Sequence, residues 1–163
     1  MNKNIRLAEN IGENLRIFSK NILNGSLQNV VKLFGGTISY KKNDDEIIGL
    51  IILGNNKFKI TLDKINSPSY DNFYVIKALG DYILFNGETD KKNYPSYRDD
   101  ETNIISNSFA YGFLTHKQEF IKKSKEFKDS DLLLAAYFEI PVEFIKIRKQ
   151  SLKSIIEKEV KTR

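Results

Sequence analysis

Asn72-Phe73-Tyr74-Val75-Ile76-Lys77-Ala78-Leu79-Gly80-Asp81-Tyr82-Ile83-Leu84-Phe85 is the stretch on which the fold turns. Phe73, Val75, Ile76, Leu79, Tyr82, Ile83 and Leu84 make a helix apolar on most faces, and such a helix is buried centrally. Lys77 and Asp81 interrupt the run four residues apart, so they stand on one face. A central helix needs elements to cover it, and the flanking sequence supplies them.

Upstream, residues 37–40 are β-rich and 41–46 form a polar turn. Residues 47–53 are apolar throughout, and Phe58, Ile60 and Leu62 alternate with polar residues. Gly54-Asn55-Asn56 between these runs marks a hairpin. The pattern predicts a small antiparallel sheet of about three strands. Before it, Ile5, Ala8, Ile11, Leu15, Phe18 and Ile22 recur at helical spacing over residues 4–23. Asn24-Gly25 ends that helix, Ser26 caps a short one over 27–34, and Gly35-Gly36 stops it.

Downstream, residues 86–100 form a polar loop. Helical spacing returns over 101–114 with Ile104, Ile105, Phe109, Phe113 and Leu114. Further helices are predicted over 130–138 and 141–149, with Pro141 suited to a first turn. The tail from Gln150 reads as their helical extension. The chain is therefore expected to be α+β, a small sheet packed on a helical bundle.

Length and composition agree with one globular domain. There are 163 residues, 40% of them hydrophobic, and 11 Phe and 8 Tyr supply core volume without any Trp. Cysteine is absent, which excludes disulfides and thiolate metal sites. No apolar run approaches the roughly 18 residues of a membrane span. The N-terminus carries no signal-peptide pattern. These features fit a soluble cytoplasmic protein. The formal charge is +5, and residues 141–163 hold seven basic residues against three acidic ones. That basic tail is either a solvated helix face or a contact to nucleic acid or an acidic partner.

The helix over 72–85 resembles the active-site helix of the ImmA/IrrE family of metallopeptidases. In that family an aromatic-led apolar run precedes H-E-L-G-H, followed by Tyr and two apolar residues. Leu79-Gly80, Tyr82 and Leu84 fall in that register without a gap. Residues 26–40 resemble the family's short helix, glycine and first strand. Asn107-Ser108-Phe109-Ala110-Tyr111-Gly112-Phe113-Leu114 resembles its A-N-x-F-A-x-x-L-L helix. Leu134-Ala135-Ala136-Tyr137-Phe138-Glu139-Ile140-Pro141, continued to Arg148, resembles its closing segment. The resemblance covers about residues 26–149 and implies a zincin-like minimal metallopeptidase scaffold. The expected organisation is an N-terminal helix over 1–25, a peptidase-like part over 26–149 and a basic tail over 150–163, in one globular unit.

A zinc peptidase of this kind needs two His four apart on one helix face, so that both imidazoles reach one metal. It also needs a Glu beside the first His to take a proton from the metal-bound water. Carried over residue by residue, the resemblance puts the two His positions at Lys77 and Asp81 and the catalytic Glu at Ala78. The third ligand, a Glu in the family, falls at Ile105. None of the four can do the family's work. The one histidine, His116, lies where the family often has Pro. An ion pair between Lys77 and Asp81 could fill the space of the metal. No catalytic residue, metal ligand or cofactor is therefore assigned. Glu88, Asp90, Asp99, Asp100 and Glu101 are acidic enough for a hard cation, but their spacing matches no defined calcium loop. No phosphate-binding glycine loop or nucleophile elbow is present.

Active members of the family cleave helix-turn-helix repressors, often of phages and mobile elements. The expectation is a catalytically inactive relative in a bacterial or phage setting. It would bind a regulatory or defence protein, such as a helix-turn-helix repressor, stoichiometrically. Tyr82, Asn107, Tyr111 and His116 are candidate pocket or partner-contact residues. The alternatives are a nucleic-acid-binding module using the basic tail and an enzyme with a repurposed pocket, in which Asp81 would join those four.

Overall fold

The computed structural model describes residues 3–22, 25–43, 46, 48–64, 66–85, 91–93 and 101–161, without the side chains at 22, 91–93, 101, 102 and 154–161. The element order is α1 (Lys3–Ile22), α2 (Leu27–Leu33), β1 (Gly36–Tyr40), β2 (Gly49–Gly54), β3 (Lys57–Leu62), α3 (Pro68–Phe85), β4 (Lys91–Asn93), α4 (Glu101–Leu114), α5 (Lys117–Glu126), α6 (Asp131–Phe138) and α7 (Val142–Lys161). The class is α+β, as expected.

The sheet is mixed and four-stranded, in the order β1-β3-β2-β4, where the sequence pattern predicted an antiparallel one of about three strands. β2 and β3 form the expected hairpin. Asn55 and Asn56 both take positive φ, 51° and 58°, which a two-residue turn between twisted strands requires. The difference lies in β1. It pairs with β3 in parallel, because β3 inserts between β1 and β2. Alternation along one strand sets which face is buried but not which neighbour it takes. β3 is the central strand, with Phe58, Ile60, Thr61 and Leu62 all buried.

α3 is the buried core helix that the sequence implied, although it starts earlier, at Pro68. Phe73, Val75, Ile76, Ala78 and Leu79 are buried, and Phe73 stacks on Phe144 of α7 with ring centroids 3.9 Å apart. α1 lies tightly against α4 through reciprocal glycines. A Cβ on Gly12 would stand 2.2 Å from the Phe109 carbonyl oxygen, and one on Gly112 would stand 2.1 Å from that of Glu9. Only glycine permits backbones this close. The N-terminal helix is thus part of the core, with Ala8 fully enclosed.

Two further differences concern the last third of the chain. α5 occupies a stretch to which the sequence pattern assigned no element. Its only large buried apolar residues are the adjacent Phe120 and Ile121, too few to show a period. α7 continues through residue 150 as one helix, the extension that the sequence pattern predicted. Phe144, Ile145, Arg148 and Leu152 are buried at helical spacing, so the core extends past the expected start of the tail. Most of the loop expected over 86–100 lies outside the described residues, as do the side chains of Lys158, Lys161 and Arg163. No helix among the described residues is long and apolar enough to cross a membrane.

Candidate functional site

Lys77 and Asp81 sit one turn apart on the face of α3 that meets α4. They are 4% and 2% exposed. A buried ammonium or carboxylate is tolerated only where polar partners replace its water. α4 supplies them. Lys77 Nζ donates to Asn103 Oδ1 at 3.0 Å, and the Ser106 hydroxyl donates to Asp81 Oδ1. The same turn of α4 carries Ile105, which is 8% exposed. Ala78, beside Lys77, is completely enclosed. Gly80 lets the Phe109 ring close over the helix, since a Cβ there would meet Phe109 Cδ1 at 2.7 Å. The four positions that the sequence resemblance singles out, Lys77, Ala78, Asp81 and Ile105, are therefore all buried, the two charged ones where α3 meets α4.

The other candidate residues go to different places. Tyr82 stacks on Phe58 of β3, with centroids 4.1 Å apart, and so packs α3 onto the sheet. Tyr111 is buried beside Phe73 and Phe144. Asn107 is half-buried, and its Oδ1 has no hydrogen-bond partner among the described residues. His116 precedes α5 and lines a groove between α1 and α5.

That groove has a volume of about 890 Å³. Arg16 and Lys20 from α1 and Lys117, Lys122 and Lys125 from α5 line it, against Glu13 and Glu119. Both acids are engaged with protein groups. Glu13 Oε1 accepts the Lys117 backbone N–H at 2.8 Å. It thereby closes the α5 N-terminus, which the His116 side chain does not cap. Glu119 accepts from the Tyr137 hydroxyl at 2.9 Å, from Arg16 at 3.3 Å and from Lys20 at 3.4 Å. Burial pushes the Glu119 carboxyl up. The Tyr137 hydrogen bond and the Arg16 and Lys20 charges outweigh it, so the carboxyl titrates below its ordinary value. The same bond raises the Tyr137 phenol.

Behind the groove stands Arg148, 1% exposed. Its guanidinium reaches Glu9 at 2.5 Å, Glu13 at 3.7 Å and the Thr115 carbonyl oxygen at 3.1 Å. One side chain of α7 thus fastens α1 to the end of α4. Sequence reading missed this contact, along with Asn103 and Ser106. Glu9 and Glu13 stand four apart on α1, as a pair of ligands to one group would. Nothing along the chain pairs them with an arginine 139 positions away from Glu9.

No group of three His, Cys, Asp or Glu among the described residues could hold a metal ion. Glu88, Asp90, Asp99 and Asp100 lie outside those residues, as does the Glu101 side chain. Compared with models of protein families, with curated proteins and with solved structures, the chain matches none.

Proposed function

We propose that this chain acts by stoichiometric binding of a protein partner, and that its α3–α4 interface is the converted metal site of an ImmA/IrrE-like ancestor. The observation that supports this is the closure of four positions together. Lys77, Ala78, Asp81 and Ile105 are at most 8% exposed. A hydrolytic metal centre keeps an open coordination position for water and substrate. Here an amide, a hydroxyl and an isoleucine from α4 occupy that region instead. The partner class that the resemblance implies is a helix-turn-helix repressor or another regulatory or defence factor of a phage or mobile element, met in a bacterial cytoplasm.

Two measurements test the two parts. Purified chain mixed with a phage-type repressor is expected to form a one-to-one complex in which the repressor stays uncut. Repressor cleavage that a chelator abolishes would overturn the binding reading. The ancestry is tested by restoring ligands without touching Ala78. Lys77→His, Asp81→His and Ile105→Glu together are expected to give a chain that retains one zinc through gel filtration, while the parent retains none. A folded triple variant that takes up no zinc would overturn the ancestry reading.

A further inference from the structure

The α1–α5 groove is open where the α3–α4 interface is closed, and its charge is unbalanced. Five basic side chains line it against two carboxylates, and those two are held by groups of the protein itself. Glu13 is spent on the α5 N-terminus and on Arg148. Glu119 is spent on Tyr137, Arg16 and Lys20. Lys122 and Lys125 are exposed on the α5 rim. Opposite, Ile17 is 49% exposed and lines the same groove. The surface therefore offers cations beside an uncovered aliphatic side chain.

We infer that this groove binds an acidic, leucine-containing peptide segment of the partner. The inference rests on reading the chain as a binding protein and names the surface and the chemistry it recognises. Carboxylates of such a segment meet the α5 lysines, and its aliphatic residues cover Ile17. This is the division between charged rim and apolar contact that protein interfaces use. The volume suits a few side chains. Nucleic acid fits less well. Among the described residues that line the groove, His116 carries the one ring on which a base could stack, with no Phe, Tyr or Trp beside it.

The test is a fluorescence-anisotropy titration of the whole chain with a labelled peptide made only of Glu and Leu. A labelled single-stranded oligonucleotide is run beside it. The parent is expected to bind the peptide more tightly than the oligonucleotide. Lys122→Glu with Lys125→Glu is expected to weaken the peptide roughly tenfold. Lys32→Glu with Lys57→Glu changes net charge equally at exposed positions outside the groove, and it is expected to leave affinity within about twofold. All four substitutions are at exposed positions, and an unchanged circular-dichroism spectrum checks each fold. Equal loss in the two double variants would overturn the inference, because net charge alone would then explain binding. Tighter binding of the oligonucleotide, lost in the groove variant, would overturn it in favour of a phosphate-reading surface. No binding of either probe would overturn it as well. None of these results touches the repressor-cleavage assay, which judges the binding reading separately.

Discussion

Lys77 and Asp81 on α3, and Glu13 and Glu119 at the α1–α5 groove, are all charged residues held where two helices meet. In the first case the facing helix has closed over them. Asn103 and Ser106 replace their water, and almost none of either residue stays exposed. In the second the helices stand apart. Glu119 keeps 24% of its side chain exposed and Glu13 17%. The groove charges can therefore exchange a protein partner for water or for another molecule, and the interior charges cannot. Of the two regions, the groove is the one whose charged side chains water reaches.

That contrast predicts a graded cost for removing each charge. The largest falls at Asp81. Asp81→Ala leaves the Ser106 hydroxyl and the neighbouring Lys77 ammonium in an interior that cannot take up water freely. It should lower unfolding free energy by about 4 kcal/mol. Urea denaturation reads this, and a cost below about 1 kcal/mol would mean that the interface opens to solvent after all. Arg148→Met comes next, at about 3 kcal/mol. It leaves Glu9 and Glu13 without their arginine, but their side chains are 13% and 17% exposed and can rehydrate in part. If Arg148→Met costs more than Asp81→Ala, the groove has the more tightly closed foundation, and the contrast between the two regions must be redrawn.

The α3 side of this contrast was legible in the sequence and the groove was not. An apolar run interrupted by two charges four apart already says that those charges share one helix face, because helical spacing is local information. The hairpin at Asn55-Asn56 and the Ser26 cap could be read for the same reason, and Ser26 does accept from the Asn29 N–H. Which strand β1 takes as neighbour, and which helix answers Lys77, depend on packing between distant segments. The groove needs α5, whose apolar residues are too few for a period, and it needs α1 brought close by Gly12 and Gly112. His116 was named as a candidate but grouped with Tyr82 and Tyr111. The structure packs those two tyrosines against core rings and puts the histidine on the wall of the groove.

The smallest effect, and the one that separates the two regions most sharply, is expected at Glu119. Glu119→Gln keeps the shape and leaves an amide oxygen that Tyr137 can still reach. Only the charge opposite Arg16 and Lys20 is lost. With a quarter of the side chain in water, screening holds the cost to under about 1 kcal/mol at neutral pH. The sign with pH follows from the lowered folded-state pKa. Ionised Glu119 stabilises the folded state fully above the ordinary glutamate value of about 4.3, and that contribution is lost as pH falls through the lower folded value. Parent and variant should therefore differ at neutral pH and converge in acid. Unfolding midpoints measured across that range check it. A gap that stays constant below the ordinary glutamate value would mean that Glu119 acts by shape and not by charge, so the groove would be a rigid packing feature like the α3–α4 interface.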